Sequence, residues 1–429
     1  MYFDKEGNFI LRHVKANWKL LETKTMTDKI IDIPSKAVPY FSSLGTILWS
    51  SKGELWEQNK NDLQKEKIMP VNADSIEILN KVKKPTEAGF HRKYYYLDDH
   101  YLLIAAHHDK NLQSTYYMLD QGKKLVIIPE NTDRIKHLQA SNDGENFIWT
   151  EENYNKPPVV MAKIKSSASR TVYQYNAQDK GAKTIAKKKL YYKGVNNEDL
   201  QTSLFLPPYF DSKKKYPVAL LIYEKQQELT DKYLVPTFKN TRGFNARLLP
   251  ESGYLVLIPD INCNDRGAAL AALDCINDVL DELSKVEQVD MKKIALMGQS
   301  FGGYETNFIA THSNRFAAFI SGASMSYIIH MGNSLILLWT GTEDKNVDQE
   351  ETRTFFSALR KYRKIVIALF YTGEAHTLTK YPAQKDYTLR MLDWYDYFLK
   401  DKRNIPWINK QMKGAYIFFM SYNYHIFVR

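Results

Sequence analysis

Residues 292–305 read KKIALMGQSFGGYE, and this stretch decides the fold. A short apolar run over 294–297 ends on Gly298-Gln299-Ser300-Phe301-Gly302, and a helical pattern begins at once. A serine between glycines at such a junction must sit on a tight strand-to-helix turn. A side chain at Gly298 or Gly302 would collide there with neighbouring backbone. The turn exposes the Ser300 hydroxyl near the positive end of the following helix, where backbone N–H groups face a reacting centre. Ser300 is therefore the candidate nucleophile. The same five letters arise often by chance as a plain Gly/Ser turn, and the strand before and helix after are what give them meaning.

Working outward, short apolar runs alternate with helical patterns. LQTSLFLPPYF (200–210), YPVALLIY (216–223) and SGYLVLIPDIN (252–262) precede the long helical run GAALAALDCINDVLDELSKV (267–286). RFAAFISGAS (315–324), LILLWTG (335–341), RKIVIALFYTG (363–373) and the helix YTLRMLDWYDYFLK (387–400) follow. Continuous apolar strands alternating with helices predict a mostly parallel sheet with helices on both faces. The catalytic partners of a serine in this fold follow it in the order acid, then histidine. Asp344 lies in GTEDKNV after one strand, and His376 lies in GEAHTL after the next. Both are loops at carboxyl ends of strands, where open α/β sheets build their sites. His376 would take the Ser300 proton, and Asp344 would hold the imidazole tautomer. Glu343, Asp348 and Glu374 compete for that acid role, and read more simply as solvated loop carboxylates. An oxyanion hole needs two donors. The N–H of Phe301 is the first; Tyr223, ending VALLIY, is either the second or an ordinary strand-end aromatic.

The first part of the chain reads differently. TILWSSKGELWEQN (46–59) turns at Lys52-Gly53, and IKHLQASNDGENFIWTEENY (135–154) turns at Asp143-Gly144. RKYYYLDDHYLLIAAHHD (92–109) and STYYMLDQGKKLVIIPE (114–130) repeat the scheme. Turn-bounded aromatic and alternating runs are hairpin signals. Their recurrence suggests blades of a β-propeller, and at about 40–50 residues per blade only three or four fit. The expected domains are a β-rich region over 1–185, an α/β unit over 186–413, and an apolar tail over 414–429 (GAYIFFMSYNYHIFVR) that is an aggregation hazard or an extra edge strand.

The motifs GQSFGGYE, GTEDKNV and GEAHTL, with KKYPVALLIYEKQ upstream, resemble the prolyl oligopeptidase family of serine peptidases, in its dipeptidyl peptidase and acylaminoacyl peptidase branches. Gly303 and Tyr304 set the pattern apart from generic lipases and esterases, and NDGENFIWTEENYNKPP (142–158) is similar to the last blade of the family's propeller. The resemblance implies a peptidase acting on short peptides without metal or organic cofactor. It implies that Tyr223 is the second oxyanion donor, that a propeller caps the site, and that a homodimer is allowed. An esterase, or a shortened and catalytically impaired homologue, are the alternative readings. Two departures from the family stand out. Between residues 323 and 334 only SMSYIIHMGNS remains, where relatives carry a longer segment with aromatic groups of the specificity pocket. Tyr327, Ile328 and Ile329 are left as candidates for that wall, with Asn346 and Val347 beside the acid. The propeller also has too few blades to close.

Composition bounds the rest. At 429 residues, 44% hydrophobic and 25% charged, the chain has the makeup of a two-domain globular protein. A formal charge of +10 invites a nucleic-acid reading. The lysines lie in short clusters, such as 187–189 and 213–215, with no binding motif, so a solvated surface is expected and no nucleic-acid partner. Two cysteines, Cys263 and Cys275, cannot make a disulfide framework. No run approaches the ~18 apolar residues of a membrane span. The first residues, MYFDKEGNFILRH, hold no secretory apolar region, which makes the cytoplasm the default expectation and leaves export of a longer parent open. His107-His108-Asp109 lacks the further ligands a metal site requires.

Overall fold

Alternation of side chains above and below a strand explains why the apolar runs of the second half are unbroken. In Tyr216–Ile222, Val218, Leu220 and Ile222 enter one core and Ala219 the opposite one. In Leu335–Gly341, Ile336 and Leu338 face the first core, and Leu337 and Trp339 the second. A strand buried on both faces has no polar side to show. The computed structural model describes residues 2–4, 6–42, 45–70, 73–84, 94–97, 101–108, 113–120, 123–226, 230–326, 335–413, 419–421 and 424–427. The chain divides into two compact units, one of residues 1–153 and 158–176, the other of 154–157 and 177–429. Residues 177–185, assigned from sequence to the first domain, thus go with the second; a 3-10 helix, Lys180–Thr184, capped by Asp179, lies there.

The second unit is one sheet with helices on both faces. Its strands are β1 (Lys187–Lys193), β2 (Asp199–Phe205), β3 (Tyr216–Ile222), β4 (Leu255–Pro259), β5 (Val289–Gln299), β6 (Ala318–Gly322), β7 (Leu335–Gly341) and β8 (Ile365–Tyr371). β9 (Phe419–Ser421) and β10 (Tyr424–Phe427) complete it, in the order β1-β2-β4-β3-β5-β6-β7-β8-β10-β9. From β4 to β8 every pairing is parallel. The tail adds β10 antiparallel to β8, so part of it forms edge strands; its other residues lie outside the described ones.

Helix α1 (Ala268–Ser284) covers one face with Ala272, Cys275, Ile276, Val279, Leu280 and Leu283. α2 (Phe301–His312) and α3 (Gln349–Lys361) complete that layer. α4 (Tyr381–Leu399) covers the other face with Tyr387, Met391, Trp394 and Tyr395, and α5 (Pro406–Lys413) packs Ile408 beside it. Both cores contain fully buried Phe and Leu side chains, each contributing about 1.5–3 kcal/mol by burial. After β3 the chain runs outward to β4, then crosses back to β5. The strand order therefore reverses between β3 and β5, and ligands bind at the carboxyl ends of strands at such a switch.

The first unit is four antiparallel-based sheets. Strands at Tyr2–Phe3, Phe9–Val14, Asn17–Glu22 and Thr27–Ile31 make the first as a simple meander. The second, of six strands, holds the hairpin of Thr46–Ser51 and Glu54–Asn59, which sets Trp49 opposite Trp56 across the Lys52-Gly53 turn. The third joins Ser75–Ile78, Tyr101–His108, Gln113–Asp120 and Lys123–Asn131. The fourth joins Arg134–Ala140, Asn146–Asn153, Lys156–Ile164 and Arg170–Gln174. Leu20 and Ile31 pack with Ile47 and Trp49, Leu48 and Leu55 with Ile76 and Ile104, and Leu103 and Ile127 with Phe147 and Trp149. Each sheet is thus bound to the next, as in propeller blades. Among the described residues no apolar cluster joins the fourth sheet to the first.

Candidate active site

The turn at Ser300 is built by what its neighbours lack. A Cβ on Gly298 would stand 2.0 Å from the Gly302 carbonyl oxygen, and one on Gly302 would stand 2.2 Å from that of Ile222. A Cβ on Gly303 would meet Ser324 at 2.5 Å. All three glycines are required by the close approach of neighbouring atoms, backbone at Gly298 and Gly302 and the Ser324 side chain at Gly303, rather than by flexibility. Ser300 has φ 56° and ψ −119°, a conformation that costs a non-glycine residue about 1–3 kcal/mol. Its N–H donates to the Gly322 carbonyl at 2.8 Å, and its own carbonyl accepts from Tyr304 at 3.0 Å. The second bond starts helix α2 directly beneath the hydroxyl, and the rings of Phe301 and Tyr304 lie 5.9 Å apart on its first turn.

Asp344 and His376 meet. His376 Nδ1 lies 2.8 Å from Asp344 Oδ2, and the aspartate side chain is wholly buried. The other oxygen, Oδ1, accepts from the N–H groups of Asn346 at 2.8 Å and Val347 at 3.0 Å. An ionised carboxylate only accepts, so Nδ1 carries the hydrogen and Nε2 remains the basic nitrogen. Asn346 is exposed and Val347 buried; what both bring to the site is a backbone donor that holds the acid. Ser300 Oγ makes no hydrogen bond to the imidazole among the described residues, and such bonds tighten when substrate binds.

The two loops that carry Asp344 and His376 are laced together. Thr342 N–H donates to the Tyr371 carbonyl at 3.1 Å, Gly373 N–H to Thr342 Oγ1 at 3.0 Å, and Glu343 N–H to the Glu374 carbonyl at 2.9 Å. A Cβ on Gly341 would stand 2.2 Å from the Ala375 carbonyl oxygen, which explains the glycine opening GTEDKNV. Glu343 is exposed, and Asp348 caps α3 by accepting from the Glu350 N–H at 3.0 Å. Glu374 is not the solvated carboxylate expected from sequence. It is 1% exposed and accepts from Thr379 N–H at 2.5 Å, Thr379 Oγ1 at 3.1 Å and Lys380 N–H at 3.2 Å. It folds the histidine loop instead of facing the imidazole. Sequence offered no signal for this, because most of the bonds run to backbone.

Two further groups escaped the sequence reading. Gln299 Nε2 donates to the His376 carbonyl at 2.6 Å, tying the turn of Ser300 to the histidine loop. Asn307 Nδ2 donates to Ser324 Oγ at 3.0 Å and Ser326 Oγ at 2.8 Å, and Glu351 accepts the Ser326 N–H at 3.1 Å. This network fixes residues 324–326, where the shortened crossover begins. Tyr327, Ile328 and Ile329 lie outside the described residues, as does Asp109.

Tyr223 leaves β3 with its Cα 3.3 Å from where a Gly302 Cβ would stand, and the Arg242 guanidinium lies 5.9 Å from its ring centre. It therefore sits at the switch point beside the turn of Ser300. Among the described residues no cluster of three or more His, Cys, Asp or Glu could hold a metal ion, and no helix is long and apolar enough to cross a membrane.

The sheet, its switch point and the glycine-flanked serine turn define an α/β-hydrolase unit. Residues 241–335 and 330–402 match the prolyl oligopeptidase family. The match spans residues 241–402 of the α/β-hydrolase unit, and it is this part of the chain that is similar to that family. It is 31% identical to dipeptidyl-peptidase 5 of Porphyromonas gingivalis over 153 residues, 33% of this chain and 22% of that protein. It is 23% identical to dipeptidyl-peptidase 5 of Aspergillus fumigatus over 349 residues, 77% of this chain and 40% of that one. The chain thus aligns with well under half the length of these relatives. Among solved structures, dipeptidyl peptidase 4 of Porphyromonas gingivalis superposes with a TM-score of 0.66 at 17% identity, over 92% of this chain and 61% of that one. That likeness carries the fold: a β-propeller with an α/β-hydrolase unit.

Proposed function

We propose that this chain is a serine peptidase that cleaves short peptides through an acyl-enzyme, with Ser300 as nucleophile, His376 as base and Asp344 as orienting acid. The observation that carries the reading is the 2.8 Å bond between His376 Nδ1 and the buried Asp344, set in loops laced to the turn of Ser300. In the first step Ser300 Oγ bonds to the scissile carbonyl carbon while its proton passes to His376 Nε2. The Phe301 N–H and the Tyr223 hydroxyl stabilise the resulting oxyanion. The C–N bond then breaks, and the imidazolium gives its proton to the departing amine. Water, deprotonated by the same imidazole, releases the acyl half and restores Ser300. The relatives are dipeptidyl peptidases by name, so N-terminal dipeptides are the first products to seek.

The test is intact-mass labelling with a fluorophosphonate probe on the parent protein and on Ser300→Ala. One stoichiometric adduct on the parent and none on the variant is the expected result. A folded parent that takes up no probe would refute the reading.

A further inference from the structure

Beside the nucleophile turn lies a cavity of about 230 Å³, lined in part by Tyr223, Gln299, Lys232 and Arg242. Its floor is apolar, with Phe244 and Met297 nearly or fully buried. It is smaller than the roughly 300–1,000 Å³ of drug-sized pockets, so it takes one short group. Two cations and no carboxylate line it among the described residues. The neighbouring Asp231 is engaged by Lys187 instead. Asp260, behind the wall, accepts the Gln226 N–H at 2.5 Å.

The turn that carries the cation at the mouth is held in place. Asn240 Oδ1 accepts the Arg242 N–H at 3.0 Å, and Asn240 Nδ2 donates to the Phe244 carbonyl at 2.5 Å, closing the turn that carries Arg242. Gly243 in that turn has φ +76°, and a Cβ there would strike the Tyr387 ring. The turn is also fixed to the histidine loop, because Leu378 N–H donates to the Thr241 carbonyl at 2.9 Å. Gln299 both lines the cavity and bonds the His376 carbonyl. The cavity therefore opens on the histidine side of Ser300, where the departing amine must leave to collect its proton.

We propose that this cavity binds a carboxylate on the departing half of the substrate, with Arg242 and Lys232 as its partners. The inference rests on the assignment of Ser300 and His376 above. The carboxylate is either the free C-terminus of a short peptide or an acidic side chain just past the cleaved bond. A guanidinium beside the Tyr223 ring, over an apolar floor, presents a planar fork suited to either.

Two experiments decide it. On the best-cleaved peptide, kcat/KM is compared for the free acid and the C-terminal amide, and for Glu and Gln at the departing residue. A charge-assisted contact predicts a preference of roughly 10–100-fold for one of the charged forms, narrowing at high salt. A preference for the free acid assigns the C-terminus, and one for Glu assigns the side chain. Either ratio should fall towards one in Arg242→Gln and Lys232→Gln. Ratios within twofold for both pairs, or a ratio unchanged in both variants, would overturn the proposal while leaving the peptidase reading intact. Separately, calorimetry on Ser300→Ala compares N-acetyl-dialanine as acid and as amide, without turnover. Tighter binding of the acid, lost in the Arg242→Gln double variant, supports the site even if no peptide is cleaved; equal binding of the two sinks it.

Discussion

Gln299 Nε2 and the carbonyl of His376 are joined at 2.6 Å, so the residue before Ser300 holds the loop of His376. Gln299 is 6% exposed, and a buried amide without that partner would cost about 1–3 kcal/mol, which keeps the two loops in register. A displacement of about 1 Å in a reacting group can cost about 10²-fold in rate. Gln299→Leu is therefore expected to lower kcat by up to about 10²-fold with KM little changed, and to slow fluorophosphonate labelling in step. If kcat and the labelling rate both stay within twofold of the parent, Gln299 does not position the base.

Asp344→Asn tests the acid. The asparagine oxygen can keep the amides of Asn346 and Val347, so the loop is expected to stay folded. Its Nδ2 donors would face His376 Nδ1 and force the imidazole into the tautomer that cannot accept the serine proton. A loss of about 10⁴-fold in kcat is expected, with the thermal midpoint moved little. A variant retaining more than a tenth of parental turnover would return the role to another acid.

Tyr223→Phe removes one hydroxyl while keeping the ring beside Arg242. As an oxyanion donor the hydroxyl should be worth about 10²–10³ in kcat, with unchanged affinity for substrate. A negligible loss would mean that the second donor lies elsewhere and that Tyr223 only walls the site.

What could be read from sequence was whatever depends on local pattern. The continuous apolar runs at 216–222 and 335–341 signalled strands buried on both faces, because no residue in them could tolerate water. Gly298 and Gly302 were legible because their spacing around Ser300 encodes a turn with no room for Cβ atoms. Illegible were the contacts made by folding distant loops together. Gln299 reaches a carbonyl 77 positions away, and Glu374 spends its carboxylate mainly on backbone N–H groups, for which almost any sequence would serve. The cavity beside Tyr223 draws its cations from residues 232 and 242, a stretch whose pattern marked neither helix nor strand.

Glu305 is the buried group whose chemistry the proposed reaction does not use. It lies on α2 one turn past Phe301, fully buried, and neither carboxylate oxygen has a hydrogen-bond partner among the described residues. Burial, with a smaller push from the Glu224 carboxylate, raises its pKa to about 8. In the unfolded chain the same group ionises near the ordinary value of 4.5. Between those two values the folded state holds a proton that the unfolded state has lost. Its contribution to stability is thus fully present below about pH 4.5, declines as pH rises, and is lost once pH passes through about 8. Glu305→Gln keeps the shape and cannot ionise, so the difference in thermal midpoint between variant and parent should grow steadily in the variant's favour from pH 5 to pH 8.5. Calorimetric melts across that range would measure it. Parallel curves for the two proteins would mean that Glu305 finds a cation or water in solution and stays ionised on the helix that carries Ser300.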